Sequence, residues 1–206
     1  MKTGFLVAVA IATVCAGSPA SAGLVTFDSS ASASAGPLGD GATYAEAGLT
    51  FTSSLDDPNA LYHWGTTQPQ NADPDGATLF QNYLAEWGVD PRTGGGTFSL
   101  NSFDLADSYD EGASGPVRFH WVRAAGGGGQ TTLSTDGLEG LQTFNVNLTG
   151  LSFFRLGAES VASFQMDNVR FRLDGVGVPE PSTWALMIAG FGGTGAMLRR
   201  RRTAPG

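Results

Sequence analysis

Ala162–Leu173 reads ASFQMDNVRFRL. Phe164 and Met166 are in phase at a spacing of two. Val169, Phe171 and Leu173 are in phase with each other, but not with the first pair. Strand side chains alternate between faces, so one residue's slip moves a whole set to the other side. The slip falls at Asp167-Asn168. An extra residue there, a β-bulge, returns both sets to one core. This stretch is therefore read as a strand, and it sets the fold class.

The same period runs outward from it. Phe144, Val146 and Leu148 share one face, as do Val117, Phe119 and Trp121. Expected strands are Leu24–Asp28, Thr43–Ser53, Thr97–Leu105, Pro116–Ala124, Gln130–Thr135, Leu141–Leu148, Leu151–Gly157 and Ala162–Leu173. Turn signals separate them at Asp136-Gly137, Thr149-Gly150 and the Gly126–Gly129 run. Eight strands without helical period predict an all-β, antiparallel β-sandwich of jelly-roll-like form. Residues 55–92 have weak pattern and several prolines. They are expected to form a long loop excursion, with a short helix or strand near Leu79–Trp87.

Both ends of the 206-residue chain depart from this pattern. Met1–Ala22 has a charged start at Lys2, an apolar run from Phe5 to Cys15 and small residues Ala20-Ser21-Ala22. That is the make-up of a secretory signal peptide, with a helical apolar segment, cut before Gly23. Cys15 is the single cysteine, so no disulfide or thiol chemistry survives the cut. At the other end, residues 178–206 read VPEPSTWALMIAGFGGTGAMLRRRRTAPG. Pro179 and Pro181 fix an extended stretch, and Ser182 can cap a helix. Trp184–Leu198 is uncharged and would span roughly 22 Å as a hydrophobic helix, marginal against about 30 Å of hydrocarbon. Arg199, Arg200, Arg201 and Arg202 place its end on the cytoplasmic side. The expected organisation is residues 1–22 as leader, 23–177 as sandwich and 178–206 as tail.

The tail resembles the PEP-CTERM sorting signal of Gram-negative bacteria, in the form where Trp-Ala follows the triplet. Pro179, Glu180, Pro181, Trp184, Ala185 and Arg199–Arg202 carry the resemblance, over about an eighth of the chain. It implies export across the inner membrane, a transient stay there, and processing by an exosortase, a membrane-embedded enzyme. The product is expected in the cell envelope or outside the cell. The family often accompanies exopolysaccharide, which is thus an implied partner. FQMDNVRFRL also resembles the last strand of carbohydrate-binding jelly-roll modules, in which an acidic residue at that place often ligates a structural calcium. Asp167 is the matching position. The bulge either holds such an ion or is closed by local side-chain hydrogen bonds. Further ligands are expected from carbonyls and an acid near Asp28 or Asp40.

Removing both ends takes five of the 11 basic residues and one of the 19 acidic, leaving a domain near −12. That field opposes nucleic acid and suits a secreted protein or one that gathers divalent cations. Asn71, Asp73 and Asp75 with Gly76 resemble half of a calcium loop, but Asn82 stands where a bidentate Glu is needed. Asp104, Asp107, Asp110 and Glu111 form an acidic patch that could pair two carboxylates for glycoside chemistry. His63 and His120 are too few for a zinc site. No nucleophile elbow or phosphate loop is present in the sequence. Tyr62, Trp64, Tyr83 and Trp87 fall in the irregular excursion, where flat rings could stack on sugars or fill a small core of their own. The expected function is non-catalytic: a structural or glycan-binding sandwich. The rival is a secreted carbohydrate-active enzyme on the same fold.

Overall fold

In the computed structural model, the described residues are 21–32, 36–37, 43–54, 61–81, 86–91, 96–107, 109, 115–158 and 163–174. They hold twelve strands: β1 (Ser21–Val25), β2 (Gly36–Pro37), β3 (Thr43–Glu46), β4 (Leu49–Ser53), β5 (Leu61–Trp64), β6 (Thr78–Gln81), β7 (Glu86–Pro91), β8 (Thr97–Asp107), β9 (Pro116–Arg123), β10 (Gly128–Ser134), β11 (Gln142–Ala158) and β12 (Phe164–Asp174). Every pairing among them is antiparallel. A 3-10 turn, Asp28–Ser30, follows β1. No helix among the described residues is long and apolar enough to cross a membrane. The expected leader helix and tail helix lie outside those residues.

Two layers form because β11 changes partners along its length. Its first half pairs with β8, and its second half with β7 on one edge and β9 on the other. Register shifts fall between Asn145 and Leu148 and between Leu148 and Leu151. Asn147 and Gly150 have φ of 50° and 66° there. Each is a single left-handed residue at a register shift within one unbroken strand, as in a bulge. The chain therefore bends and continues, and Thr149-Gly150 is not the turn expected from sequence. One layer holds β2, β5, β6, β12, β8, β1 and the start of β11. The other holds the end of β11 with β3, β4, β7, β9 and β10. Aromatic rings meet across the gap: Trp87 on Phe164 at 4.9 Å, and Phe103 on Phe119 at 5.4 Å and Phe154 at 6.1 Å. The chain is an antiparallel β-sandwich, as its periodicity predicts.

Two other expectations are corrected. Thr43–Ser53 is a hairpin, because Ala47 and Gly48 take φ of 49° and 94° in succession. Alanine is a poor left-handed residue, so no turn signal marked it. The excursion of residues 55–92 carries three strands, β5, β6 and β7. They are four to six residues long, too short for periodicity to announce.

The bulge in β12 is present. Register against β8 shifts between Asp167 and Arg170, and Asn168 has φ of 49°. On the opposite edge, β6 pairs with Gln165 and Met166, and β1 pairs with Val169–Leu173. The bulge is thus the point where one edge partner gives way to another. Asn168→Gly keeps this φ freely and should lose only the bond of the Asn168 amide to buried Asp167, about 1–3 kcal/mol. Asn168→Val loses that bond as well and should lose about 1–3 kcal/mol more from strain at a branched residue. Urea unfolding of the three proteins measures both; equal stability for Gly and Val would mean the left-handed turn is not under strain.

Candidate functional site

The place where β6 gives way to β1 gathers carboxylates. Phe27, just after β1, is fully buried with φ 57° and ψ 1°. Its N–H donates to Glu46 Oε2 at 3.2 Å, and the Tyr44 hydroxyl donates to the same oxygen at 2.8 Å. This sharp turn delivers Asp28, whose Oδ1 accepts from the Ala77 N–H at 3.2 Å. Burial, foremost, with Glu46 beside it, raises the Tyr44 hydroxyl above its ordinary pKa.

The second contributor is the turn before β6. The Gly76 N–H donates to the Asp73 carbonyl at 3.2 Å. A Cβ built on Gly76 would overlap both Asp28 Oδ1 and Asp73 Oδ2. The two carboxylates therefore face one small cradle that only glycine leaves open. Asn71 staples this turn from within. Its amide donates to the carbonyls of Gly65, Asp73 and Gly76, and its Oδ1 accepts from the Asp73 N–H and the Thr78 hydroxyl. Gln165 on β12, fully buried, anchors the turn to the sheet. It accepts from the Ala72 N–H and the Thr78 hydroxyl and donates to the carbonyls of Gln70 and Asp107.

Asp167 completes the cluster and is 1% exposed. Its Oδ2 accepts from Asn168 Nδ2 at 3.1 Å, while its Oδ1 has no hydrogen-bond partner. Burial, with the carboxylates of Asp73, Asp28 and Asp104 adding to it, pushes its pKa up to about 8. Asp104 is itself buried and paired with Arg170 at 3.4 Å. Arg170 also donates to the Asn168 carbonyl at 3.3 Å, closing the bulge from outside. An orphaned buried oxygen costs stability unless something compensates it. Among the described residues, no three or more His, Cys, Asp or Glu form a ready-made metal cage. The donors around the cradle are all oxygens, of the kind hard divalent cations take.

The half-loop Asn71, Asp73, Asp75 is therefore split. Asp73 points into the cradle, Asn71 is spent on internal hydrogen bonds, and Asp75 is exposed. Asn71's polar capacity holds the turn, and of the three only Asp73 faces the cradle. Asp28 was anticipated only as a neighbourhood, and Gly76 only as a turn former. Neither has a local sequence signal, because their meeting depends on β1 and β6 sharing one edge of β12. Asp40 lies outside the described residues.

The aromatics separate as well. Trp87 is fully buried against Phe164 and has no face for a ligand. It belongs to the core, because β7 is an inner strand of its layer, between β4 and β11. Tyr62 and Trp64 share the partly open side of β5. Trp64 meets Phe80 at 5.0 Å and Tyr109 at 6.1 Å, both edge-on, and Tyr109 is 52% exposed. Tyr109, which sequence reasoning passed over, replaces Trp87 in that group. Tyr83 lies outside the described residues. So do Ala20, Pro179, Glu180, Pro181, Trp184, Ala185 and Arg199–Arg202, while Ala22 sits exposed on β1. In the acidic patch, Asp104 is paired with Arg170, and Asp107 accepts from the Tyr109 N–H at 2.9 Å.

No curated protein matches this chain. Solved structures with some likeness include a mutant family 29 carbohydrate-binding module, at 10% identity over 75% of this chain and 92% of that one, with TM-score 0.42. A second family 29 module, from Piromyces equi, has 7% identity over 68% and 89%, with TM-score 0.40. A family 32 module from C. perfringens, in complex with galactose, has 8% identity over 71% and 98%, with TM-score 0.38. Residues 177–202 match the family described as the PEP-CTERM protein-sorting motif, so the chain carries that motif at its C-terminal end.

Proposed function

We propose that this is an exported protein, sorted through its C-terminal tail, whose β-sandwich works outside the inner membrane as a non-catalytic glycan-binding or structural module. The sorting motif at residues 177–202 carries the reading. In it, the leader is cut before Gly23, residues 23–177 form the working domain, and an exosortase-type enzyme removes the tail after a transient stay in the inner membrane. Mature protein in the cell envelope or medium, in contact with exopolysaccharide, is the end point. Paired-carboxylate catalysis is the weaker reading, since Asp104 is neutralised by Arg170. Intact mass of the native product should lack both residues 1–22 and Trp184–Arg202. Retention of Trp184–Arg202 overturns the processing step. Changing Arg199–Arg202 to Gln should leave the tail uncut or misoriented.

The cradle of Asp28, Asp73 and Asp167 is proposed to hold a structural calcium ion, with the orphaned Asp167 Oδ1 and the gap over Gly76 in support. The ion would supply the positive charge the buried carboxylates lack. Calcium should therefore raise the melting temperature of wild type, but not of Asp167→Asn or Gly76→Ala, the latter filling the cradle. In chelator, Asp167 has no ion to offset its charge. Its folded pKa lies above the ordinary 3.8, so its contribution is fully present below about 4 and is lost as pH rises towards about 8. Chelated wild type should lose stability over that window, and Asp167→Asn should lose less. Identical slopes would remove Asp167 from the account.

Glycan contact is proposed at Tyr62, Trp64 and Tyr109, the rings gathered at the open side of β5. Trp64→Ala should weaken binding to a neutral polysaccharide at least about tenfold, as expected for a central aromatic anchor. Affinity electrophoresis would measure it, and unchanged mobility shifts in the variant would return the rings to packing alone.

A further inference from the structure

The open side of the second layer carries Arg118 and Arg155 together with Glu86 and Asp90, and only around Glu86 do the two arginines leave a local positive spot in a strongly acidic domain. Register makes two rows across β10, β9, β11 and β7. Gln130, His120, Arg155 and Gly88 lie opposite one another, and Thr132, Arg118, Gly157 and Glu86 form the next row. Residues directly opposite share a face. Gly157 is the floor: a Cβ there would come within 2.9 Å of Glu86 Cγ. The result is a hollow of about 260 Å³ lined by Glu86, Arg118, His120, Gln130, Arg155 and Gly157. That is below the roughly 300–1,000 Å³ of drug-sized pockets and suits one sugar unit.

Its charges pair at the surface. Glu86 Oε1 binds Arg118 Nη2 at 2.6 Å, and its Oε2 lies 3.8 Å from Arg155 Nη1. The Arg155 guanidinium also rests over the Phe153 ring at 5.4 Å, and His120 lies 6.0 Å from the same ring. One carboxylate against two guanidiniums leaves a net positive site with unused donors. These two arginines are a third of the six basic residues between Gly23 and Val178.

We propose that this hollow binds a carboxylate-bearing sugar, a uronic acid unit of a sparsely charged polysaccharide. Two neighbouring guanidiniums can donate to a carboxylate in bidentate fashion, and Gln130 and His120 offer partners to ring hydroxyls. The domain's overall charge near −12 selects for sparseness, since a densely charged polyanion is repelled by the surface around the hollow. The assignment rests on the glycan-binding reading but uses a different layer from Tyr62 and Trp64.

The test is calorimetric titration of the full chain with an oligosaccharide bearing one terminal glucuronic acid, its methyl ester, and a neutral polysaccharide fragment. The acid should bind at least about tenfold more tightly than the ester, in line with the greater strength of charge-assisted bonds. Arg155→Gln should abolish that difference while keeping the melting temperature. Arg123→Gln, an exposed change of equal charge away from the hollow, should preserve it. Equal binding of acid and ester overturns the proposal, as does an Arg123→Gln loss matching that of Arg155→Gln. If the acid fails while the neutral fragment binds in a Trp64-dependent way, this site falls and the broader reading stands. If neither binds, both fall.

Discussion

One extra residue in β12 organises the rest of the molecule. β12 pairs with β8 along one edge, and on the other with β6 before the bulge and β1 after it. A regular strand would give that edge one partner in one register. The left-handed Asn168 breaks the ladder and lets two strands from distant parts of the sequence end there. The segments that follow β1 and precede β6 converge on the gap, and each carries a carboxylate. The acidic cradle is a consequence of where two strand ends meet.

Burying acids costs free energy, and this fold concentrates the cost at one place. Asp104 is offset by Arg170. Asp167 is offset on one oxygen only, by the Asn168 amide. The surroundings are over-determined by contrast. Gln165 uses four hydrogen bonds and Asn71 five to hold the turn against the sheet. A rigid frame thus holds an uncompensated acid in place at the expense of local stability. The second layer makes a different use of charge. There Glu86 pairs with Arg118 and Arg155 on an open face that also carries Asp90, so the positive remainder is confined to the hollow around Glu86.

The sequence was most legible where periodicity was long. β8, β9 and β12 are each eight residues or more and were expected within a few positions, as was the bulge, while the 17-residue β11 was expected as two strands. In the excursion a short helix or strand was expected near Leu79–Trp87, where β6 and β7 lie, but β5 was not, and Ala47-Gly48 was missed because an alanine occupies a conformation its identity does not advertise. Legibility failed again at Thr149-Gly150, because a glycine signals a bend equally well within a strand or between two. Among aromatics, Trp87 and Trp64 looked alike in sequence. Only their strands' positions, inside one layer and near the open side of the other, told them apart.

Composition, phase and order along the chain are one-dimensional properties, and they sufficed for the β class, the bulge at Asp167-Asn168 and the tail with its Pro-Glu-Pro triplet and arginine run. Convergence is three-dimensional. Asp28 and Asp73 are 45 positions apart and face one another over Gly76 only because β1 and β6 share an edge of β12, where their charges reach Asp167, 94 positions beyond Asp73. Arg118 and Arg155 are 37 positions apart and come together around Glu86 only because β9 and β7 flank the end of β11. Strand register decides which charges face one another, and register is set by packing of the whole sandwich rather than by any local stretch.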